Sequence, residues 1–314
     1  MFEIRRYRAE DAGIWNRFVE KSKNATFLFH RNYMDYHADR FHDHSLVVLD
    51  KRGRTRALLP ANEREGVLLS HQGLTYGGLL TDERATVTDV CSMFLSINGY
   101  LAAAGFHKVE YKAIPWIYHQ LPSEEDLYAL THVCGARLLT RDISTTVFPG
   151  RRLRFAESRR SGIRKAVREG LSVWETDDVE EFWPILDDNL TRRYQTHPVH
   201  SAEEMRLLKS RFPEHIRLFV VRQGDVNVAG TLVYETAKVV HTQYISASPE
   251  GKAKGALDML FDHLVNDVYV GSRYFDFGKS TEDGGRYLNE SLIFQKEGFG
   301  GRGVCYDTYE WTVG

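Results

Sequence analysis

Residues 216–300 constrain this chain most, because they set three strands, a helix and a returning strand in a fixed order. Ile216 to Arg222 and Ala229 to Glu235 flank the turn Gln223-Gly224-Asp225, and each alternates or masses apolar residues. Val239 to Ile245 has the same character, and the three together predict a strand meander. Ser248-Pro249-Glu250-Gly251-Lys252-Ala253-Lys254-Gly255 then leads into Leu257, Leu260, Phe261 and Leu264, whose spacing predicts a helix. A glycine-bearing loop is thus expected at a helix N-terminus, where free backbone donors can hold a pyrophosphate or a developing oxyanion. The chain returns as Arg273-Tyr274-Phe275-Asp276-Phe277-Gly278, a short aromatic strand that ends in a charged loop. It closes with Phe294-Gln295-Lys296-Glu297-Gly298-Phe299-Gly300.

This order of elements resembles the acyl-transfer core of the GNAT superfamily. The family's phosphate loop has arginine or glutamine, two residues of any kind, glycine, any residue, then glycine or alanine. Here Lys252 takes the first place, Gly255 the glycine and Leu257 the last place. The resemblance implies donor binding at Lys252, Lys254 and Gly255, and the departures at both ends predict weak binding of free acetyl-CoA. The run Phe275-Asp276-Phe277-Gly278-Lys279-Ser280, followed by Lys296, Gly298, Phe299 and Gly300, is similar to the FemAB group of tandem GNAT proteins. In that group a lysine within a Phe-Lys pair lies close to the transferring carbonyl. Lys296 matches the lysine, Gln295 replaces the phenylalanine, and Asp276 and Lys279 are expected to contact substrate.

With 314 residues the chain exceeds what one core usually organises, which predicts two domains. Its 41 basic and 43 acidic residues nearly cancel, so any nucleic-acid or anionic-membrane partner needs a local patch. Cys91, Cys134 and Cys305 are odd in number and far apart, which argues against a disulfide framework or a cysteine zinc site and fits a reducing cytoplasm. Charges at Glu3, Arg5, Arg6, Arg8, Glu10 and Asp11 exclude a signal-peptide core, and no apolar run suffices to span a bilayer. A cytoplasmic protein is expected.

The N-terminal half predicts a strand at Phe2 to Tyr7, an amphipathic helix at Ala9 to Lys21, and a helix-like segment from Phe27 to Phe41. His30, His37, Asp39, His42, Asp43 and His44 form a histidine-rich stretch, read as an exposed or capping cluster because no third ligand is positioned to close a metal shell. Ser45 to Leu49, Ala57 to Asn62 and Val67 to Ser70 predict a second meander, Thr86 to Ala104 a helix, and His107 to Ile114 a returning strand. The order of the C-terminal half thereby recurs. The expected fold is α/β, in the α+β sense: two tandem GNAT-like units, each a mixed sheet flanked by helices, at residues 1–147 and 148–314. In the first unit the loop Leu80 to Ala85 is acidic and lacks glycine, so catalysis is assigned to the second unit and acceptor-site shaping to the first. Tyr76-Gly77-Gly78 suits backbone approach to a ligand or a plain turn. The FemAB resemblance, with a Tyr-Gly-Gly loop facing the cleft, implies substrate contact at Tyr76 and Gly77.

Residues 151–168 carry Arg151, Arg152, Arg154, Arg159, Arg160, Arg164, Lys165 and Arg168 against one acid, Glu157. Ser158 is expected to cap a helix ending at Gly170, with Ile163, Ala166, Val167 and Leu171 buried. Like charges four apart oppose helix stability slightly, so a polyanionic partner is expected beside the plain solvated-face alternative. The FemAB group has a similar segment, which implies substrate binding at Arg164 and Lys165. Tyr194 and His197 lie in a loop beside the expected cleft. In the third strand His241, Gln243 and Ile245 should share one face, with Thr242 and Tyr244 on the other. His241 suits the base that an amine acceptor needs, or equally a hydrogen-bonded core residue, and Tyr244 is the candidate on the opposite face.

Together these imply an N-acyltransferase that moves an acyl or aminoacyl group to an amine through a tetrahedral oxyanion, with Lys296 stabilising the charge. Acyl-CoA is the first choice of co-substrate and no metal is required. The alternative donor is aminoacyl-tRNA, as for a FemAB-like enzyme acting on a cell-wall precursor. The acceptor is a small-molecule or nucleotide-linked amine. A catalytically silent polyanion-binding module is the reading from a different class.

Overall fold

The structure, a computed structural model, describes residues 2–314, apart from the side chains of residues 193 and 194. Internal packing divides it into two compact units. One comprises residues 1–142, 283–287 and 305–314, and the other residues 143–282 and 288–304. The main division falls at 142/143, and residues 305–314 group with the N-terminal unit because their strand pairs there.

In the first unit β1 (Glu3–Arg6), α1 (Ala12–Lys21) and α2 (Arg31–Met34) precede β2 (Leu46–Leu49), β3 (Thr55–Leu59), β4 (Asn62–Arg64), β5 (Val67–Ser70) and β6 (Leu80–Thr81). The helix α3 (Val87–Ala103), strand β7 (Lys108–Lys112) and helix α4 (Glu125–His132) follow. The expected meander is divided: β1, β2, β3 and β6 form an antiparallel sheet, whereas β5 pairs with β4 and, in parallel, with β7. Thr86 caps α3 through a reciprocal box with Asp89, and Met93, Phe94, Ile97 and Leu101 carry its buried face.

The histidine-rich segment is only in part a surface cluster. His37 and His71 stack at 5.5 Å and are almost fully buried, and burial holds the His71 imidazole down to about 3. His44 is buried as well, whereas His30 caps α2 and Asp39 and His42 are exposed, as the expected exposed or capping cluster has them. Among the described residues no three His, Cys, Asp or Glu side chains are grouped to hold a metal.

The second unit begins within β8 (Arg137–Val147), at Ile143, and continues with α5 (Glu157–Arg168) and β9 (Leu171–Thr176). Next come α6 (Trp183–Tyr194), α7 (Ala202–Arg211), β10 (Ile216–Gln223), β11 (Val226–Glu235) and β12 (Val239–Ala247). After them lie α8 (Pro249–Lys254), α9 (Ala256–His263) with a π turn to Val268, and β13 (Tyr274–Lys279). Two short strands, β14 (Thr281–Glu282) and β15 (Tyr287–Leu288), helix α10 (Glu290–Glu297) and strand β16 (Arg302–Thr312) complete the chain. Within this unit the strand order is β8, β13, β12, β11, β10, β9, with β12 and β13 parallel and the other neighbours antiparallel. Parallel neighbours need a crossover, which α8 and α9 supply.

Phe261, Phe277 and Phe299 form the aromatic centre of this unit's core: Phe277 and Phe299 stack at 5.4 Å, and Phe261 meets Phe277 edge-on at 4.8 Å. Each such pair adds about 0.5–1.5 kcal/mol beyond its buried area. The cluster ties the end of β13 to the turn that follows α10, and so fixes the helix that carries Lys296.

Candidate active site

β12 and β13 pair at Val239 with Tyr274, Val240 with Phe275, and His241 with Asp276, and there the pairing ends. One residue beyond Thr242, β12 carries a bulge against β11: Thr242 faces Val233, Tyr244 faces Leu232, and Gln243 is the extra residue. The two parallel strands therefore diverge from the His241–Asp276 rung onward. The bulge also corrects the expected alternation, since His241 and Tyr244 fall on one face of β12 and Thr242 and Ile245 on the other.

His241 is 8% exposed, and its Nδ1 lies 2.7 Å from Oδ2 of Asp276. Oδ1 of Asp276 accepts from Thr146 Oγ1 at 2.8 Å and from Ser144 Oγ. Asp276, an expected substrate contact, is fully buried, and its carboxylate is hydrogen-bonded to protein groups. Gly278 follows in the left-handed region, and the His241 ring lies 3.3 Å from where a Cβ would stand, so a side chain there would crowd the imidazole.

Lys296 is the buried residue of α10, whereas Phe294 on the same helix is exposed. Its ammonium donates to the carbonyl oxygens of Gly278 at 2.9 Å and Lys279 at 2.8 Å. Burial pulls the Lys296 amine down to about 8, and the nearby Asp276 charge offsets part of that. Lys279 itself is exposed beside this turn. Lys296, His241 and Asp276 thus converge at the end of β13, a clustering that came from residues up to 55 positions apart.

The other expected site residues are placed differently. Tyr244 OH accepts from the His200 backbone N–H at 3.3 Å and meets His200 Nδ1 at 2.5 Å, and burial lifts the phenol to about 12. It packs edge-on against Trp183 and acts as an anchor between β12 and the segment before α7. His197 is exposed and paired with Asp187, and Tyr194 lies outside the described side chains. In the first unit Tyr76 is buried with its hydroxyl on Thr26, and a Cβ on Gly77 would stand 1.8 Å from the Ser70 carbonyl oxygen. Both positions, expected as substrate contacts, are accounted for by packing.

The expected phosphate loop is largely helical. Residues 249–254 are the helix α8, capped by Ser248 on the Gly251 N–H, and Gly255 is the left-handed joint between α8 and α9. A Cβ on Gly251 would meet the Val228 carbonyl at 2.2 Å, and one on Gly255 the Gly162 carbonyl at 2.4 Å. Both glycines are thus required by backbone packing. Lys254 is paired with Gln223 and Glu250, and Lys252 with Asn189.

The helix α5 starts after Ala156, two residues earlier than the expected Ser158 cap allows, and Val167 is exposed, not buried. Its Gly162 admits the crossing of α9, and Arg159 is paired with Asp258 at 2.6 Å. Burial raises the Asp258 carboxyl to about 6 despite Arg159. Arg160 and Arg164 both reach Glu157, while Lys165 and Arg168 point to solvent. The N-terminal end of α5 abuts the turn after α10, where the Ala156 N–H donates to the Gly298 carbonyl at 2.8 Å.

Residues 154–287 match the family model described as an acetyltransferase (GNAT) domain. No curated protein matches the sequence. Among solved structures, FemX superposes with a TM-score of 0.66 at 9% identity, covering 99% of this chain and 97% of its own. A C-terminal domain attributed to a lysylphosphatidylglycerol synthetase of Agrobacterium fabrum gives 0.62 at 14% identity, with 98% and 92% covered. A tandem GNAT protein from the clavulanic acid biosynthesis pathway gives 0.52 at 11%, with 100% and 99% covered. Residues 154–287 are thus similar to a GNAT-type acetyltransferase domain. Over nearly its whole length the chain shares the fold of FemX and of the tandem GNAT protein. Among the described residues no helix is long and apolar enough to cross a membrane.

Proposed function

We propose that the protein transfers an aminoacyl or acyl group from an activated ester or thioester to an amine, with His241 as the base. The observation that carries this reading is the His241–Asp276 rung, which stands at the point where β12 and β13 diverge. The acceptor amine attacks the acyl carbon, a tetrahedral oxyanion forms, and the carbonyl is restored as the leaving group departs. The amine proton passes to Nε2 of His241 and from there to the leaving oxygen or sulfur. Lys296 holds the turn at Gly278 and Lys279 and supplies positive charge beside it, in a site where burial strengthens its field.

The packed glycines of α8 bear on the donor. A pyrophosphate needs open backbone donors at a helix start, and here the Gly251 N–H is taken by Ser248 Oγ and the Gly255 N–H by the Lys252 carbonyl. This favours an aminoacyl ester carried on tRNA over acyl-CoA, the donor preferred on sequence alone. The exposed bases of α5, Arg164, Lys165 and Arg168, suit a phosphate-rich carrier of donor or acceptor. The acyl-CoA reading keeps support from the family description as an acetyltransferase domain.

The test incubates the protein with acyl-CoAs or with aminoacyl-tRNA, each with amine acceptors, and follows thiol release or tRNA deacylation. Acceptor-dependent deacylation is the expected result. Turnover of acetyl-CoA with tight binding would restore the ordinary GNAT donor. Ligand binding with no transfer in either arm would establish the polyanion-binding module in place of the enzyme.

A further inference from the structure

Three neighbouring strands place Thr146, Asp276 and His241 in one row across the sheet, because Thr146 pairs with Asp276 and Asp276 with His241. Residues directly opposite on adjacent strands share a face, so the row is set by backbone register. Ser144 lies two residues before Thr146 on β8 and therefore on the same face. The irregular register between β8 and β13, where Ser144 pairs with Lys279, coincides with a second hydroxyl on the same carboxylate oxygen.

We propose that Ser144 and Thr146 are positioning residues for acyl transfer: through Asp276 they hold His241 as the tautomer protonated on Nδ1, with Nε2 unprotonated and available to the amine. The proposal rests on the reading of His241 as the base. Both hydroxyls donate to Oδ1, which leaves Oδ2 for the imidazole and fixes the plane of the carboxylate. An acceptor-only carboxylate on Nδ1 requires a proton there, and neutral imidazole then has its lone pair on Nε2. Among the described residues Nε2 has no hydrogen-bond partner, and the ring is confined on its Cε1 side by Gly278.

Burial adds weight to this assignment. A carboxylate with no exposure is expensive, and three hydrogen bonds from Ser144, Thr146 and His241 are what its two oxygens need. A purely structural strand position would be filled more cheaply by an apolar side chain, as Val147 and Phe275 are in the same strands. The arrangement serves a defined imidazole orientation instead.

The experiment reads the tautomer directly, by long-range proton–nitrogen correlation on protein labelled with nitrogen-15 in histidine, assigned with His241→Gln. His241 in the native chain is expected to be protonated on Nδ1 alone. In the Ser144→Ala/Thr146→Val double variant the buried Asp276 carboxyl, stripped of both donors, should take up a proton and donate it to Nδ1, so that the Nε2-protonated form appears; in Ser144→Thr/Thr146→Ser, which keeps both hydroxyls, the native pattern should persist. If the double variant does not fold, Thr146→Val alone, with Ser144 retained, should show the same change in smaller proportion. An Nε2-protonated native chain, or a folded variant with the native pattern, overturns the proposal. In a transfer assay the double variant should lose on the order of tenfold in kcat at unchanged KM, part of the 10²–10⁴-fold that a positioned base contributes. Full turnover by His241→Gln would overturn the base reading while leaving the tautomer result intact, so the two failures are distinguishable.

Discussion

Gly255 and Gly162 meet backbone to backbone: a Cβ placed on Gly255 would stand 2.4 Å from the Gly162 carbonyl oxygen. Gly255 also sits at φ +77°, which L side chains rarely adopt. Gly255→Ala should therefore destabilise the fold by about 3 kcal/mol, from left-handed strain and a clash with α5 together. Urea unfolding measures it. A stable variant that had lost only donor binding would instead return Gly255 to a phosphate cradle.

Lys296 gives a stability signal that needs no substrate. Its amine titrates near 8 when folded and near 10.5 when unfolded, so between these values the unfolded chain binds more protons. Stability contributed by this site then rises with pH from about 8 to 10.5, and below pH 8 the buried charge costs about 3 kcal/mol. Lys296→Met should remove that rise, seen as the difference between the two stability–pH curves. Parallel curves would show that the amine keeps its ordinary affinity for protons.

The same variant separates chemistry from binding. Loss of a fixed cation beside the developing oxyanion should lower kcat by on the order of 100-fold with substrate affinity little changed. Loss of affinity at preserved turnover would assign Lys296 to the acceptor instead.

Tyr244 should act in structure alone. Its hydroxyl is spent on His200, so Tyr244→Phe is expected to cost about 1 kcal/mol of stability and leave turnover unaltered. Thermal melting and the transfer assay together check this, and a drop in kcat without a drop in stability would restore the phenol to the chemistry.

The basic face of α5 predicts a salt-dependent carrier interaction. Arg164→Ala and Lys165→Ala should each weaken binding of tRNA and lower the slope of log affinity against log salt by roughly 0.7–0.9, the effect of one lost phosphate contact. Circular dichroism should show an intact fold, since both side chains are exposed. An unchanged slope would leave the stripe as a solvated face.

The sequence by itself determined the local elements and their order. Alternating or massed apolar residues marked β10, β11 and β12, the spacing of Leu257, Leu260, Phe261 and Leu264 marked α9, and Lys296 was singled out by its match to the lysine of the FemAB group. These are short-range signals, carried by residues a few positions apart. What only the tertiary structure decided was every role that depends on a distant neighbour. Gly77 and Gly255 read as ligand-binding glycines in the sequence, and the structure brings the Ser70 and Gly162 carbonyls against them. Asp276 read as a substrate contact until Ser144 and Thr146, some 130 residues earlier in the chain, closed over its carboxylate. The bulge at Gln243 inverted the faces of β12 because register is fixed by the partner strand β11, and no alternation within β12 alone reports it.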